Sequence, residues 1–249
     1  MESRQGIGGF GSLPLVVKNI LIVNVLFFLA TLSVGRTFGI DLSDILGLHY
    51  FSADNFKPYQ LVTYMFMHGG FGHIFFNMFA VWMFGRVLED VWGPKRFLVY
   101  YFVTGIGAAL IQLAVTYFQI SHIEYGMAAD NINMVYTDGL KALQESKNFI
   151  DPQMSKLNLL INTPTIGASG AVFGILLAFG MLFPNTMLYV YFAIPIKAKY
   201  FVMIYGAVEL YLGISNNEGD NVAHFAHLGG MIFGFFLIKY WNKKIKRFY

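Results

Sequence analysis

Apolar residues are grouped along this chain in long runs instead of alternating with polar ones. Six runs approach or reach the length that spans about 30 Å of hydrocarbon as a helix, at about 1.5 Å per residue. We predict membrane helices, the fifth of them short, over residues 16–34, 71–88, 97–118, 166–183, 200–214 and 222–240. No internal repeat is evident, so residues 1–249 are predicted to form a single all-α membrane domain.

Composition supports this prediction. Of the 249 residues, 56% are hydrophobic, 18% are aromatic and only 12% are charged, which is typical of a polytopic membrane protein. The net charge is +3 and no basic face is interleaved with aromatic residues, so we expect lipids and no nucleic acid as partners. The chain has no cysteine, which excludes disulfides, thiolate catalysis and cysteine metal ligands.

Cationic residues predict the orientation, because cytoplasmic loops of membrane proteins carry an excess of lysine and arginine. With a cytoplasmic N-terminus, 12 of the 17 Lys and Arg residues fall on the cytoplasmic side. We therefore predict that residues 1–15 are a cytoplasmic segment, that both termini are cytoplasmic and that residues 119–165 form a long outer loop. Within this loop, an acidic start and spaced apolar residues predict a short amphipathic helix over residues 138–150.

Few strongly polar side chains fall inside the predicted helices. Such groups are functional candidates because they are costly at membrane depth. His73 and Asn77 are four residues apart and share one face of the second helix. Ser169 lies near the start of the fourth helix in the small-residue motif Gly167-Ala168-Ser169-Gly170. Taken alone, such a motif is also typical of close helix packing in a bilayer.

The sixth predicted helix carries a histidine at a matching depth. His227 is followed by Gly230 and Gly234 on one helical stripe. The second, fourth and sixth helices run in the same direction, so depths can be compared from their inner ends. His73, Ser169 and His227 lie roughly 20, 21 and 18 Å from those ends. These three side chains can therefore share one layer in the outer half of the membrane.

A serine and a histidine in one layer provide groups needed for acyl transfer. The serine hydroxyl requires a base within hydrogen-bond reach. The tetrahedral oxyanion requires donors, which an amide, an imidazole and a backbone N–H at a helix start can provide. No acid lies near Ser169 or His227 in sequence, so a dyad is the simplest hypothesis. Glu209 is an alternative third member, but we interpret it as structural, protonated or bonded to neighbouring backbone, and His224 as a packed or water-bonded histidine.

These motifs make the chain similar to the rhomboid family of intramembrane serine proteases. The resemblance covers nearly the whole chain and rests on His73-Ile74-Phe75-Phe76-Asn77, Gly167-Ala168-Ser169-Gly170 and Ala226-His227-Leu228-Gly229-Gly230, with Gly234. It implies a six-helix rhomboid bundle. It also implies a serine endopeptidase that hydrolyses peptide bonds in or near transmembrane segments of membrane-protein substrates, with no cofactor and no metal.

The resemblance implies a role for each matching residue. Ser169 would be the nucleophile and His227 the general base and then acid. His73, Asn77 and the backbone N–H of Ser169 would form the oxyanion hole, and Phe173 would pack against the imidazole of His227. Four glycines would allow the fourth and sixth helices to approach closely: Gly167, Gly170, Gly230 and Gly234.

Some features depart from the family pattern or allow another interpretation. Tyr59-Gln60 stands where some members carry Trp-Arg, which leaves residues 36–60 either in the membrane interface or packed as an outer loop. The sequence does not choose among three roles for the long 119–165 loop: a lid, a substrate-docking element or inert surface.

Two other functions compete with the protease hypothesis. One is a catalytically inactive relative that binds transmembrane segments, and the other is a transporter or channel with a polar path through His73, Asn77 and Glu209. The size of the chain and the lack of an organelle-type presequence predict a bacterial inner membrane. Neither the oligomeric state nor the physiological substrate follows from the sequence.

Overall fold

The computed structural model describes residues 13–190, 193–215 and 222–245. In these ranges the helices, in chain order, are α1 (Leu15–Phe38), α2 (Leu42–Leu46), α3 (Gln60–Thr63), α4 (Phe71–Ala80), α5 (Arg86–Trp92), α6 (Pro94–Tyr125), α7 (Ala129–Gln144), α8 (Pro152–Asn162), α9 (Ser169–Leu182), α10 (Ala198–Ser215) and α11 (His224–Ile245). A π-helical turn over Val81–Gly85 joins α4 and α5 into one continuous helix. The strands β1 (Met187–Val190) and β2 (Ile194–Lys197) form an antiparallel hairpin in the connector before α10.

The helical bundle has the surface of a membrane protein. Large apolar side chains such as Phe76, Met203 and Phe236 are 70%, 66% and 66% exposed, and burial in lipid would remove them from water. Helix α9 is also apolar but has only 14 residues. Within the described part of the chain, three helical stretches are long and apolar enough to cross a membrane: Leu15–Phe38, Phe71–Trp92 and Pro94–Tyr125.

The fourth apolar run starts its helix later than predicted. Helix α9 begins at Ser169, not at residue 166. The preceding residues are held outside helical geometry, because Thr165 exchanges two backbone hydrogen bonds with Leu48 of the first outer loop, at 2.8 and 2.9 Å. Gly167 then has φ +125°, a conformation that a side chain would disfavour. The serine therefore stands at a helix start, below a short extended segment.

The long connection after α6 is a folded unit. Helix α6 continues to Tyr125, beyond the predicted end at residue 118, and α7 and α8 follow as a helical pair. The amphipathic helix predicted over residues 138–150 lies earlier in the chain, since α7 spans Ala129–Gln144 and Ser146 has a positive φ of 57°. Asp151 caps α8 by accepting from two backbone amides. The unit has its own apolar core, made of Tyr50, Ile120, Val135, Met154, Leu157 and Ile161.

The first outer loop is packed around a buried glutamine. The side chain of Gln60 is fully buried, and its Oε1 accepts from the backbone amides of His49 and Lys57, at 3.3 and 3.2 Å. Its Nε2 donates to the carbonyls of Ile45 and Asn55, at 3.1 and 2.8 Å. Of the two positions considered for this loop, the structure favours the packed one. Gln60 anchors the loop from the position where some rhomboids carry arginine.

Helices α6, α9 and α11 form the centre of the bundle, and tyrosine hydroxyls bond to the backbone of α6 and α9. Tyr100 of α6 donates to the carbonyl of Gly174 in α9, at 2.8 Å, and Tyr64 donates to the carbonyl of Gly105 in α6, at 2.7 Å. Both tyrosines are buried, so each hydroxyl needs such a partner. These bonds fix the helix on which the serine lies.

Candidate active site

The structure brings Ser169 and His227 into contact. Ser169 is the first residue of α9, and the segment before it is fixed by a 2.9 Å hydrogen bond from the Gly167 amide to the Tyr64 carbonyl. His227 lies in the first turn of α11, and its Nε2 is 2.8 Å from Ser169 Oγ. The two residues are 58 positions apart in the chain. This distance is within hydrogen-bond reach of a nucleophile and its base.

Helix α11 packs closely on α9, and this short distance between the helices lets His227 reach Ser169. A Cβ added to Gly230 would overlap the carbonyl group of Gly170, so the two backbones touch where only glycine fits. Gly234, which we expected to face the same helix, instead faces Tyr100 and Thr104 of α6. That expectation is wrong because α11 packs on α6 and α9 together, and Gly234 lies on the side that faces α6.

Gly170 contacts two helices at once. A Cβ on this glycine would meet Ala108 of α6, and it would lie 3.5 Å from the carbonyl oxygen of Ala226 in α11. Both neighbours are small residues or backbone, which is how membrane helices pack most closely. The small-residue motif around Ser169 therefore also has the role in close helix packing that is typical of such motifs.

Aromatic rings hold the imidazole from one side. The ring of His227 is stacked on Phe173, with centroids 4.2 Å apart and planes inclined by 5°. Phe173 is stacked in turn on Tyr205 of α10, at 5.1 Å and 2°. Phe173 is one turn after Ser169, so α9 supplies both the hydroxyl and the surface against which the imidazole rests. This is the contact that the family resemblance implied for Phe173.

The other ring nitrogen of His227 contacts a carboxylate. Glu209 Oε2 lies 2.7 Å from His227 Nδ1 and also 2.7 Å from His224 Nδ1. All three residues are buried, with 6% or 7% of their surface exposed. The interpretations of Glu209 as bonded to neighbouring backbone, and of His224 as merely packed or water-bonded, are therefore wrong. Glu209 lies on α10, and the fold brings it to a pair of histidines on α11.

The same three residues are the donor set most suited to a metal in the described part of the chain. The ligand atoms of Glu209, His224 and His227 lie within 4.8 Å of one another, and imidazole and carboxylate are ordinary ligands of transition metals. In the structure each Nδ1 is already paired with the carboxylate at hydrogen-bond distance. A metal would have to replace both of these hydrogen bonds.

Of the residues expected to bind the oxyanion, His73 lies beside the serine segment, and Asn77 is bonded to the backbone of His73. A Cβ built on Gly167 would be 2.7 Å from His73 Nε2 and 3.6 Å from Ser169 Oγ, so both side chains border the same glycine. Asn77 Nδ2 donates to the backbone carbonyl of His73, at 2.9 Å, which uses one of its two amide hydrogens. Any side chain at position 167 would occupy the space next to the hydroxyl.

Sequence reasoning underestimated Glu209 because it lies on another helix, 18 residues before His227. The sequence did contain a signal. His224 and His227 are three residues apart, which places both on one face of α11. A buried acid in the preceding helix is the natural partner for two such imidazoles, since a charged group at membrane depth needs a partner.

The chain is similar to known proteins over most of its length. The family model described as Rhomboid domain matches residues 55–243. RHOMBOID-like protein 12, mitochondrial, of Arabidopsis thaliana is 32% identical over 72% of this chain and 46% of its own length. Rhomboid protein 1, mitochondrial, of Saccharomyces cerevisiae is 24% identical over 76% of this chain and 43% of its own length. Rhomboid protease GluP of Bacillus subtilis is 24% identical over 72% of this chain and 25% of its own length.

These relatives bear on the predicted location as well as on the family. Two of them are named as mitochondrial, so the similarities do not support the bacterial inner membrane that we expected. The chain spans about half the length of the first two relatives, 46% and 43%. The family match covers well over half of this chain, and the helices are those of a membrane bundle. The chain therefore belongs to the rhomboid family and is an integral membrane protein.

Proposed function

We propose that this protein is an intramembrane serine endopeptidase that hydrolyses peptide bonds in or near transmembrane segments of membrane proteins. The observation that carries the proposal is the 2.8 Å contact between His227 Nε2 and Ser169 Oγ in a member of the rhomboid family. Among the relatives, the Bacillus subtilis GluP protein is named a rhomboid protease.

Acylation begins with proton transfer. His227 Nε2 accepts the proton of Ser169 as Oγ forms a bond to the carbonyl carbon of the scissile peptide. The carbonyl oxygen becomes an oxyanion, and the C–N bond breaks when His227 returns the proton to the leaving nitrogen. The products of this half-reaction are an acyl ester on Ser169 and a free amine. No proton is gained or lost overall.

Deacylation repeats the sequence with water as the nucleophile. His227 takes a proton from water as the oxygen attacks the ester carbon. It then returns the proton to Ser169 Oγ as the bond between Oγ and the acyl carbon breaks and the carboxylic acid leaves. In both halves the oxyanion needs preorganised donors. The backbone amide of Ser169, the imidazole of His73 and the second amide hydrogen of Asn77 supply them in our proposal. The stacking on Phe173 limits rotation of the His227 ring between these steps.

Two other functions fit the site less well. A relative that only binds transmembrane segments would not need His227 oriented on Ser169 at hydrogen-bond distance. A transporter with a polar path through His73, Asn77 and Glu209 would not need Glu209 to be tied to two histidines of α11. The protease hypothesis uses the contact between His227 and Ser169 directly.

The decisive experiment compares purified wild type with Ser169→Ala and His227→Ala in lipid nanodiscs. We expect wild type to cleave a model transmembrane substrate and to be labelled by a fluorophosphonate, and both variants to lose cleavage while keeping a cooperative thermal transition. Ser169→Ala should also lose the label. Cleavage by either variant at the rate of wild type would contradict the proposal, and so would an unlabelled, inactive wild type.

A further inference from the structure

We propose that Glu209 is the positioning residue of the site, so that the reacting unit is a Ser169–His227–Glu209 triad in which His224 holds the carboxylate. The inference rests on the proposed function and adds a third and a fourth residue to its dyad. It is carried by one oxygen atom, Glu209 Oε2, which lies 2.7 Å from the Nδ1 atoms of both histidines.

The first step of the argument concerns the protons of His227. A neutral imidazole carries one N–H, and the nitrogen that lacks it is the acceptor. To act as a base toward Ser169, His227 must carry its proton on Nδ1 and leave Nε2 free. A carboxylate accepts hydrogen bonds and cannot donate them. Glu209 at 2.7 Å from Nδ1 therefore selects the tautomer that proton transfer from Ser169 requires.

The second step concerns charge. Glu209 Oε2 accepts from two imidazole N–H groups at once, and hydrogen bonds to the charged form of a carboxyl group favour that form, so the arrangement favours a negative Glu209. When Nε2 takes the serine proton, the ring becomes an imidazolium beside a carboxylate in a buried site. Glu209 is 6% exposed and His227 is 7% exposed, so little water screens this attraction. The carboxylate stabilises the charge that forms during the reaction, and it keeps its own proton state unchanged.

The third step explains the second histidine. Glu209 lies on α10, whose only buried residues in the structure are Ala198, Val202 and Glu209 itself. Its side chain has several rotatable bonds and would lose orientation without a second anchor. His224 donates to the same oxygen from the same face of α11, one turn before His227. Two donors from one helix face thus fix the carboxylate where His227 needs it.

The test uses full-length protein in nanodiscs and compares wild type with Glu209→Gln and Glu209→Leu. Glutamine keeps the shape of the side chain but removes the charge, and its amide can donate toward Nδ1 and favour the wrong tautomer. In soluble serine proteases, loss of the triad carboxylate lowers kcat by about 10⁴-fold. We expect both variants to lower kcat and the fluorophosphonate labelling rate by roughly 10²- to 10⁴-fold, with KM changed less than about threefold.

Glu89→Gln is the matched control. Glu89 is also a buried carboxylate that accepts two N–H donors, but these are the backbone amides of Val16 and Val17 at the start of α1. This variant removes a buried charge whose hydrogen-bond partners are at the start of α1 and not in the Ser169–His227 site. We expect it to keep the kcat of wild type. A loss of kcat in Glu89→Gln equal to that in Glu209→Gln would overturn the inference, because removal of any buried carboxylate would then have the same effect.

A second measurement is made on wild type and does not depend on the Glu209 variants folding. Nitrogen NMR of wild type labelled with ¹⁵N-histidine shows which ring nitrogen is protonated, and the signal of His227 is assigned by its loss in His227→Ala. We expect the proton on Nδ1. A proton on Nε2 in the resting protein would overturn the inference even if all kinetic variants were unstable.

Failure of this inference is distinguishable from failure of the proposed function. If wild type is labelled at Ser169 and Glu209→Gln is labelled at the same rate, the dyad stands and the triad is refuted. If wild type itself is neither labelled nor active, the proposed function is refuted first.

Discussion

Replacing Gly230 by alanine should separate Ser169 and His227, the proposed catalytic pair, without changing either side chain. The added methyl would overlap the carbonyl group of Gly170, and a carbon and a carbonyl oxygen are normally about 3.3 Å apart or more. Helix α11 must therefore move away from α9 by roughly 1 Å or more at this point. His227 is one turn earlier on the same helix and moves with it.

The size of the effect follows from the present contact. His227 Nε2 and Ser169 Oγ are 2.8 Å apart, and a further separation of about 1 Å exceeds the reach of about 3.2 Å for proton transfer. A displacement of this size costs about 10²-fold in rate. Overpacking also costs about 1–3 kcal/mol of folding free energy. We therefore expect Gly230→Ala to remain folded with a lowered melting temperature, and to lose about 100-fold in kcat.

Gly206→Ala is the matched control for this prediction. Gly206 lies on α10, and a Cβ there would meet the terminal atoms of Met231, with a closest approach of 3.2 Å. A methionine end group can move aside, since it has three rotatable bonds. The same exchange of glycine for alanine should leave the rate within about threefold of wild type. The assay is the labelling rate of Ser169 by a fluorophosphonate together with substrate cleavage. Equal rates for Gly230→Ala and wild type would refute the reasoning.

Three further outcomes can be checked with the same preparations. Asn77→Ala should lower kcat by about 10²- to 10³-fold, the usual effect of one oxyanion donor, and a loss as complete as in Ser169→Ala would instead assign Asn77 to folding or substrate binding. Phe173→Leu should lower kcat by about 2- to 13-fold, because aromatic pairing contributes about 0.5–1.5 kcal/mol, and an unchanged kcat would contradict a role for the stacking in orienting the ring. Glu89→Gln should lower the free energy of unfolding by about 1.5–3 kcal/mol, the contribution of one charged hydrogen bond. Denaturant unfolding in detergent measures this change, and unchanged stability would contradict the role of Glu89 as the cap of α1.

The amino-acid sequence alone determined the class of the protein and predicted which serine and histidine meet. Long apolar runs could be assigned to membrane helices because a bilayer imposes their length and their composition. Ser169, His73 and His227 could be placed in one layer because depth along a helix follows from the residue count. The motif Gly167-Ala168-Ser169-Gly170 then combined a candidate nucleophile with the small residues that membrane helix packing requires.

Only the tertiary structure decided which helices meet and therefore what surrounds His227. A count along the chain gives depth but not the rotation of one helix against another, so it did not reveal that Glu209 faces His224 and His227. The same limit explains why Gly234 was assigned to the wrong neighbour. The start of α9 at Ser169 was also missed, since the preceding segment is extended by pairing with the first outer loop. Such contacts depend on residues distant in the chain, and a local pattern does not contain them.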